Sequence, residues 1–340
     1  MTENKYLPFV SSIVPCRNEE KFIGRCLESI IANDYPKDKL EILIVDGRSE
    51  DGTREIVKEY AQKYPFLKLI ENPRKITPAA MNIGIQNSKG EIIIKMDAHS
   101  LYEKDYISKC VKHLEESGAD NVGGVLETLP SKDNIVARAI AICLSYPFGA
   151  GTSYFRTGSR EPREVDTVAF GCYWKKIFDK IGFYNEKMAK IEDFELNYRL
   201  RKAGGKIMLF PDIKAIYYPS SENLKQFSEH NFTDGIWTTY HLRFSKRLLV
   251  SWRHLVPFKF VLSLISLIIL SFFSNIFFLL LLLIIILYFL ISIFFSLKIA
   301  KKEKDFTYLS IMPIFFASRH IGYGLGSIWG IIKILTKWKS

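Results

Sequence analysis

The sequence predicts an α/β domain built on a parallel sheet, followed by C-terminal transmembrane helices. Two observations carry this prediction. From Phe9 to Met96, short apolar runs alternate with amphipathic stretches of helical length, which is the pattern of parallel strands separated by helices. From Pro257 to Leu297, roughly forty residues carry one charge, Lys259; at ~20 residues per span, this length suffices for two membrane crossings.

The alternating region divides into four strands and three helices. We predict strands at Val10–Val14, Glu41–Asp46, Leu67–Glu71 and Glu91–Met96, and helices at Lys21–Ala32, Asp51–Tyr64 and Thr77–Asn87. Thr77 before Pro78 is the pattern of a helix N-cap followed by proline in the first turn. A parallel sheet covered by helices binds ligands beyond the carboxyl ends of its strands, where Pro15, Asp46 and Asp97 fall.

The formal net charge is +11, and basic residues are concentrated beside the apolar segment. This charge does not indicate a nucleic-acid partner, because no nucleic-acid-binding motif accompanies it. Basic residues flank both outer ends of the segment, whereas its turn near Ser274–Asn275 carries none. By the positive-inside rule, these ends and the N-terminal domain lie on the cytoplasmic side. Residues 1–8 lack the apolar core of a signal peptide, so we do not expect export of the first domain.

Two further segments accompany the predicted hairpin, which we place at residues 255–298. Residues 223–254 have the composition of an interfacial amphipathic segment. Residues 305–338 are apolar but contain Arg319 and His320 at their middle, so that a third transmembrane span and a re-entrant segment are both open. Gly322 and Gly326 form a small-xxx-small pair that permits close helix packing.

Asp97 and His99 are candidate metal ligands. They follow the fourth predicted strand, separated by Ala98, and this spacing lets a carboxylate and an imidazole approach one ion. A divalent cation held in this way neutralises the charge on a departing pyrophosphate. An aspartate at a strand end is also a common cap, so the motif alone leaves both interpretations open.

Four motifs together resemble those of family 2 glycosyltransferases with the GT-A fold. They are Val14-Pro15-Cys16-Arg17-Asn18-Glu19-Glu20, Val45-Asp46-Gly47-Arg48-Ser49-Glu50-Asp51-Gly52-Thr53, Ala79-Ala80-Met81-Asn82-Ile83-Gly84 and Asp97-Ala98-His99, in the family's order. The resemblance implies a GT-A nucleotide-sugar-binding domain of Rossmann-like type, with residues 1–99 as its nucleotide-sugar-binding half and residues 100–222 as its acceptor and catalytic half. It also implies a donor site formed by Pro15, Arg17, Asn18, Glu19, Asp46, Asn82 and Asp97.

The same resemblance implies Mn²⁺ or Mg²⁺ held by Asp97 and His99, but two positions depart from the family pattern. Gly47 stands where many members have a second aspartate, so the family's base recognition is not carried over there. His99 stands in place of the second metal carboxylate, and its imidazole favours Mn²⁺.

The catalytic base is also assigned by resemblance. Residues 191–196, Ile-Glu-Asp-Phe-Glu-Leu, resemble the family's Glu-Asp motif, whose aspartate deprotonates the acceptor hydroxyl in an inverting displacement. A hydroxyl is a poor nucleophile until a positioned carboxylate accepts its proton. We therefore predict Asp193 as the base and Glu192, Arg199 and Trp237 as acceptor residues. Arg199 also fits a solvated i,i+4 pair, and Trp237 also fits an interfacial anchor.

Residues 97–100, 147–149, 165–171 and 192–205 narrow the resemblance to the succinoglycan-biosynthesis type. This implies transfer of one sugar, such as glucose, from a UDP-sugar to a polyprenyl-diphosphate-linked saccharide. Residues 231–237 keep the tryptophan of the Gln-x-x-Arg-Trp motif of processive synthases without its glutamine or arginine, which favours non-processive transfer. The enzyme would be integral to the plasma membrane of a prokaryote, with its catalytic domain in the cytoplasm. A polyprenyl-phosphate sugar synthase is an alternative within the same chemistry, and a non-catalytic membrane scaffold is an alternative of another class.

Overall fold

The structure, a computed structural model, describes residues 6–245 and 247–336. Its chain divides into two units. The first, here called the sheet unit, contains residues up to Glu127 together with Gly158–Tyr218; the second, the helical unit, contains Thr128–Thr157 and the residues from Pro219 onward. Residues 128–157, predicted as part of the acceptor half, belong in the structure to the helical unit.

Elements are numbered along the whole chain. The strands are β1 (Val10–Cys16), β2 (Leu40–Asp46), β3 (Leu67–Glu71), β4 (Ile92–Lys95), β5 (Ser100–Tyr102), β6 (Asn121–Thr128), β7 (Arg163–Glu164), β8 (Ala169–Trp174) and β9 (Ile207–Tyr217). The helices are α1 (Ile23–Ile31), α2 (Thr53–Lys63), α3 (Thr77–Asn87), α4 (Tyr106–Ser117), α5 (Ile135–Ser145), α6 (Pro147–Ala150), α7 (Tyr154–Thr157), α8 (Ile177–Ile181), α9 (Glu192–Lys202), α10 (Leu224–Tyr240), α11 (Leu242–Ser245), α12 (Val256–Ser271), α13 (Asn275–Glu303) and α14 (Thr307–Leu335).

One sheet orders its strands β3-β2-β1-β4-β8-β6-β9-β5, with β7 beside β9. β1 runs parallel to β2 and β4, and β2 runs parallel to β3, which confirms the predicted parallel series. β8 runs antiparallel to β4 and β6. Because β2 and β4 lie on opposite sides of β1, the strand order reverses there, and open α/β sheets bind ligands at such a reversal.

The start of α3 differs by one residue from the expected cap. Ile76 is the N-cap, with φ −119° and ψ 146°, and no side chain caps the helix. The prediction of Thr77 as N-cap is therefore wrong. Proline lacks an N–H and has a φ suited to the whole first turn, so its presence does not define which residue begins the helix.

Two helical segments of the described chain, Trp252–Ser271 and α13, are long and apolar enough to cross a membrane. Their apolar side chains are largely exposed, with Phe272 at 84% and Leu279 at 63% of full exposure. Soluble proteins rarely expose such an extended apolar surface. α14 is not among the helices that meet this test, so a third span over residues 305–338 stays a prediction; residues 337 and 338 lie outside the described chain.

α10, within the predicted interfacial segment, packs closely along α14 through glycines. A Cβ added to Gly326 would lie 2.0 Å from the carbonyl oxygen of Phe232, and one added to Gly235 would lie 2.0 Å from that of Tyr323. Both contacts are with backbone, which cannot move aside as a flexible side chain can. The predicted close approach of a helix at Gly326 is therefore observed.

We expect Gly326→Ala to lower the free energy of unfolding by roughly 1–3 kcal/mol, because the added methyl group overpacks the helix contact. Gly322→Ala is the matched control, since its Cβ would meet its nearest atoms at 3.5 Å, an ordinary contact, and alanine favours helix. Thermal unfolding of the detergent-solubilised chain, followed by circular dichroism, measures both. Equal melting temperatures for the two variants would contradict the tight packing.

Candidate functional site

A cavity of about 270 Å³ opens in the sheet unit beyond the carboxyl ends of the parallel strands. Cys16 of β1 lies beside Asp46 of β2, and Ile13 of β1 lies beside Lys95 of β4, so the segments after these strands converge. The lining residues are Pro15, Cys16, Arg17, Glu19, Gly47, Asn72, Lys75, Ile76, Thr77, Ala80, Lys95, Met96, Asp97, His99 and Glu192. The cavity thus occupies the reversal of strand order between β1 and β4.

Three loops at this edge contain residues in the left-handed region, namely Asn18 (φ 56°), Arg48 (φ 55°) and Lys75 (φ 59°). Such residues are uncommon and concentrate at functional sites. Asn18 joins two of the loops: its N–H donates to Ser49 Oγ at 2.9 Å, and its Oδ1 accepts from the Glu50 N–H at 2.9 Å. Asn18 therefore orders the loops around the cavity and is not among the lining residues.

The carboxylate of Asp46, predicted to line the donor pocket, is buried and organises the turn after β2. It accepts hydrogen bonds from the Ser49 N–H at 3.1 Å and from Arg54 Nη1 at 3.1 Å. Gly47, and not Asp46, lines the cavity. A Cβ on Gly47 would lie 3.2 Å from Cβ of Arg17, so glycine here lets the two loops approach closely.

Asp97 and His99 come together with Glu19 at one side of the cavity. His99 Nδ1 lies 3.1 Å from Asp97 Oδ1 and 3.1 Å from Glu19 Oε1. Burial alone would lower the pKa of His99, but the charge of Asp97 and the hydrogen bond to Glu19 outweigh burial and raise this pKa to about 10. Without a cation the two carboxylates thus favour the imidazolium, whereas a metal ion would bind the neutral ring and release its proton.

The donor set at this position is small. In the part of the chain that the structure describes, no three His, Cys, Asp or Glu side chains are arranged to hold a metal ion. Asp97 and His99 supply one oxygen and one nitrogen. Two protein ligands suit a cation that takes its other ligands from substrate phosphates and water, as Mg²⁺ often does with nucleotides.

Lys95, to which the sequence analysis assigned no role, connects the cavity to α9. Its Nζ donates to Glu192 Oε1 at 3.0 Å and to Asp193 Oδ2 at 2.6 Å. Burial disfavours the ammonium, but the charges of Asp193 and Glu192 outweigh burial and raise the pKa of Lys95. Lys95 and Asp97 are two residues apart, and extended chain places such residues on one side, which is the sequence signal that could have revealed the lysine.

The two carboxylates at the start of α9 have different surroundings. Glu192 lines the cavity, and burial raises its pKa although Lys95 acts in the opposite direction. The side chain of Asp193 is 29% exposed. Its Oδ1 is enclosed and has no hydrogen-bond partner among the residues described. An enclosed acceptor atom without a donor is uncommon in folded proteins.

Asn82, predicted to lie near the donor, connects α3 to the segment before α9. Its Nδ2 donates to the carbonyl oxygen of Tyr184 at 2.9 Å and to Glu186 Oε1 at 3.0 Å, while its Oδ1 accepts from the Tyr184 N–H at 2.8 Å. Because every polar atom of this amide is occupied within the protein, Asn82 supports the wall of the cavity and does not line it.

Arg199 and Trp237, predicted as acceptor residues, also make contacts within the protein. The Arg199 guanidinium binds Glu195 at 2.7 Å and donates to the Phe183 carbonyl oxygen at 2.7 Å, which favours the helix-surface interpretation. Trp237 belongs to the helical unit, where its ring meets that of Tyr240 edge-on at 5.7 Å. Their roles toward an acceptor stay predictions.

Comparisons with known proteins agree with the motifs. The family model described as glycosyl transferase family 2 matches residues 11–182. The chain is 32% identical over 269 residues to the dolichyl N-acetyl-alpha-D-glucosaminyl phosphate 3-beta-D-2,3-diacetamido-2,3-dideoxy-beta-D-glucuronosyltransferase of Methanococcus voltae, covering 77% of this chain and 81% of that protein. It is 30% identical over 220 residues to the succinoglycan biosynthesis protein ExoA of Rhizobium meliloti, covering 64% of this chain and 66% of that protein.

Among solved structures, a mannosyltransferase from Pyrobaculum calidifontis, in complex with GDP-Man and Mn²⁺, superposes with a TM-score of 0.61 at 20% identity, covering 96% of this chain and 88% of that chain. At this level of identity the likeness shows the fold. The α/β fold predicted from the motifs, GT-A-like, is confirmed.

Proposed function

The chain belongs to glycosyl transferase family 2, and we propose that it is an inverting, metal-dependent enzyme that transfers one sugar from a UDP-sugar to a lipid-linked saccharide. One observation carries this proposal: a single cavity is lined both by Asp97 and His99 and by Glu192 of the cluster around Lys95. A cation site and one carboxylate of the pair at the start of α9 therefore face the same cavity.

The donor side of the reaction is assigned to the loops after the parallel strands. Asp97 and His99 would hold Mn²⁺, in preference to Mg²⁺ because of the imidazole. When bound, the cation neutralises the charge that develops on the leaving diphosphate. Arg17 and Lys75 line the same cavity and add positive charge toward the diphosphate.

Asp193 is assigned as the general base. Inversion requires the acceptor hydroxyl to attack from the side opposite the leaving diphosphate, so the base and the metal lie on opposite sides of the reacting carbon. Asp193 does not line the donor cavity, and its side chain is 29% exposed, so the carboxylate is partly accessible to an acceptor. Glu192, whose carboxyl pKa is raised by burial, orients Lys95 and through it Asp193.

The acceptor is assigned as a saccharide on a polyprenyl phosphate or diphosphate. The name of the Methanococcus voltae relative describes a dolichyl-linked sugar phosphate as its acceptor. The two apolar helical segments of this chain are consistent with the same kind of substrate, since such lipids reside in a bilayer. We place the enzyme in a prokaryotic plasma membrane with its sheet unit in the cytoplasm, as the positive-inside rule indicates.

Radiolabelled nucleotide sugars supplied to membranes containing the chain, followed by lipid extraction, test this function. We expect label from a UDP-sugar to enter a lipid-linked saccharide. Label on a lipid monophosphate that carries no other sugar would instead identify a polyprenyl-phosphate sugar synthase. Release of UDP that survives Asp193→Asn unchanged, without transfer, would favour the non-catalytic scaffold.

We expect Asp97→Ala to lower Mn²⁺-dependent transfer at least ~100-fold, because the cation provides several kcal/mol of charge stabilisation. Calorimetric titration of UDP with and without Mn²⁺ measures the underlying loss: the variant should bind UDP equally weakly in both conditions. Asp38→Ala, at an exposed position after α1, is the control and should retain the Mn²⁺ effect. Unchanged Mn²⁺ dependence in the Asp97 variant would place the metal elsewhere.

A further inference from the structure

We propose that the helical unit contains a pocket for the phosphate end of the isoprenoid lipid that carries the acceptor, with Arg319 as the phosphate ligand. The proposal rests on the proposed function for the identity of this lipid. It concerns a cavity of the helical unit that the donor chemistry does not use.

The cavity has a volume of about 370 Å³, within the usual range of small-molecule sites. Its walls come from the loop of residues 147–153, from the start of the first apolar helical segment at residues 252–260, from Tyr288 of α13 and from Arg319, His320 and Tyr323 of α14. Most of the lining is aromatic or aliphatic, and two arginines, Arg253 and Arg319, are included. The occupant must therefore combine an apolar body with negative charge.

One wall is held in place by a network around α6. The ring of Phe148 stacks on Phe295 at 4.9 Å and meets the ring of His320 edge-on at 4.9 Å. His320 Nε2 lies 2.8 Å from the Phe148 carbonyl oxygen and Nδ1 lies 2.9 Å from the Tyr288 hydroxyl. A carbonyl oxygen only accepts, so Nε2 carries the hydrogen. His320 therefore fastens the loop to α13 and α14, which explains the Pro147-Phe148-Gly149 run as part of a formed pocket.

Arg319 provides the charge. It lies in the middle of the apolar helix α14 with its side chain 19% exposed. Its guanidinium donates to Asn231 Oδ1, lies 3.5 Å from Asp234 Oδ2 and covers the ring of Tyr323 at 5.4 Å. Burying a charged side chain among apolar groups is costly unless the charge is paired, so a buried arginine at the wall of a cavity is suited to binding an anion.

The ion pair with Asp234 leaves Arg319 available to a phosphate. The Asp234 side chain is 47% exposed, and an ion pair with so exposed a partner is weak. A phosphate offers two oxygens to the fork of the guanidinium, which is a stronger and more directional interaction. A lipid phosphate can therefore replace the carboxylate.

A single isoprenoid chain fits these walls better than the other phosphate sources. Inorganic phosphate has no apolar part to cover the aromatic lining. A bulk phospholipid carries two acyl chains, whereas one cavity of about 370 Å³ accommodates a head and the first part of one chain. The start of the first apolar helical segment forms part of the wall, so a chain leaving the pocket can continue along that helix.

Binding of photoreactive geranylgeranyl phosphate to the full-length chain in nanodiscs, without any sugar donor, tests the proposal. We expect Arg319→Gln to weaken saturation crosslinking at least ~10-fold. Arg247→Gln removes the same charge from an exposed position of the helical unit that does not line the pocket, and it should bind as the unaltered chain does. The assignment would be overturned if phosphatidylglycerol or inorganic phosphate competed with the probe as effectively as unlabelled geranylgeranyl phosphate does.

The Asp234→Asn variant distinguishes a phosphate-binding role of Arg319 from a purely structural one. If Arg319 is a phosphate ligand, removing its carboxylate partner should tighten lipid binding; weaker binding together with a lower melting temperature would show a purely structural ion pair and overturn the proposal. Asp193→Asn should bind the lipid normally. If the unaltered chain bound the lipid normally but transferred no sugar, only the proposed function would be refuted. If Arg319→Gln transferred sugar as well as the unaltered chain does, only the present inference would be refuted.

Discussion

Asp193→Asn is expected to lower kcat of sugar transfer by about 10²- to 10⁴-fold, which is the usual contribution of a general base. Asparagine has almost the same shape, and its oxygen can still accept a hydrogen bond from Lys95, whose Nζ lies 2.6 Å from Asp193 Oδ2. The variant loses the ability to take the proton of the acceptor hydroxyl but keeps the fold. Binding of UDP with Mn²⁺ should therefore be unchanged, whereas kcat should fall.

Two further variants make this test decisive. Asp179→Asn changes an exposed aspartate of α8 and should retain full activity. Glu192→Gln alters the neighbouring carboxylate, which shares Lys95. If Glu192→Gln abolished transfer and Asp193→Asn retained a rate within a few fold of the unaltered enzyme, the base would be Glu192 and our assignment would be wrong.

Lys95→Met is expected to lower the free energy of unfolding by about 3–5 kcal/mol near neutral pH, because removing one member of a buried ion pair leaves uncompensated charge. The Lys95 side chain is 9% exposed and that of Glu192 is 12% exposed, so solvent compensates little. Burial already raises the pKa of Glu192 and Lys95 opposes this, so without the lysine the pKa of Glu192 should rise further above its unfolded value. A group with a raised folded pKa stabilises the fold below its unfolded pKa, so the loss should shrink as pH falls toward about 4.

Chemical denaturation across pH 4–8 measures this effect. Lys58→Met, at a side chain that is 57% exposed, is the matched control and should change stability little at any pH. Lys95→Arg retains the positive charge and should recover part of the stability. A loss in Lys95→Met that does not depend on pH would indicate lost packing and would contradict the electrostatic account.

Local patterns suffice for the strands and helices of the donor half. Alternating apolar runs predicted β1 to β4 and α1 to α3 within two residues at each end, because the period of side-chain burial is set by the backbone itself. The motifs also predicted the family, because each of them is short and continuous and can be recognised in the sequence without knowledge of the fold. The apolar composition after Pro257 likewise predicted two helices separated near Ser274.

Contacts between distant segments are what the tertiary structure alone decided. Lys95 contacts Asp193, which lies 98 residues later in the chain, and no local sequence pattern predicts that contact. The packing of α5 with the C-terminal helices, through Ile140 and Phe316, depends on the same kind of distant contact. Asp46 and Asn82 were assigned to the donor by motif, but Asp46 accepts from Ser49 and Arg54 in the turn and helix that follow it. Asn82 donates to the segment of residues 184–186. The sequence by itself determined the family, the parallel α/β domain and the apolar hairpin, since these depend on short-range pattern. Which polar side chains face a cavity, and which hold its walls, was decided by long-range packing.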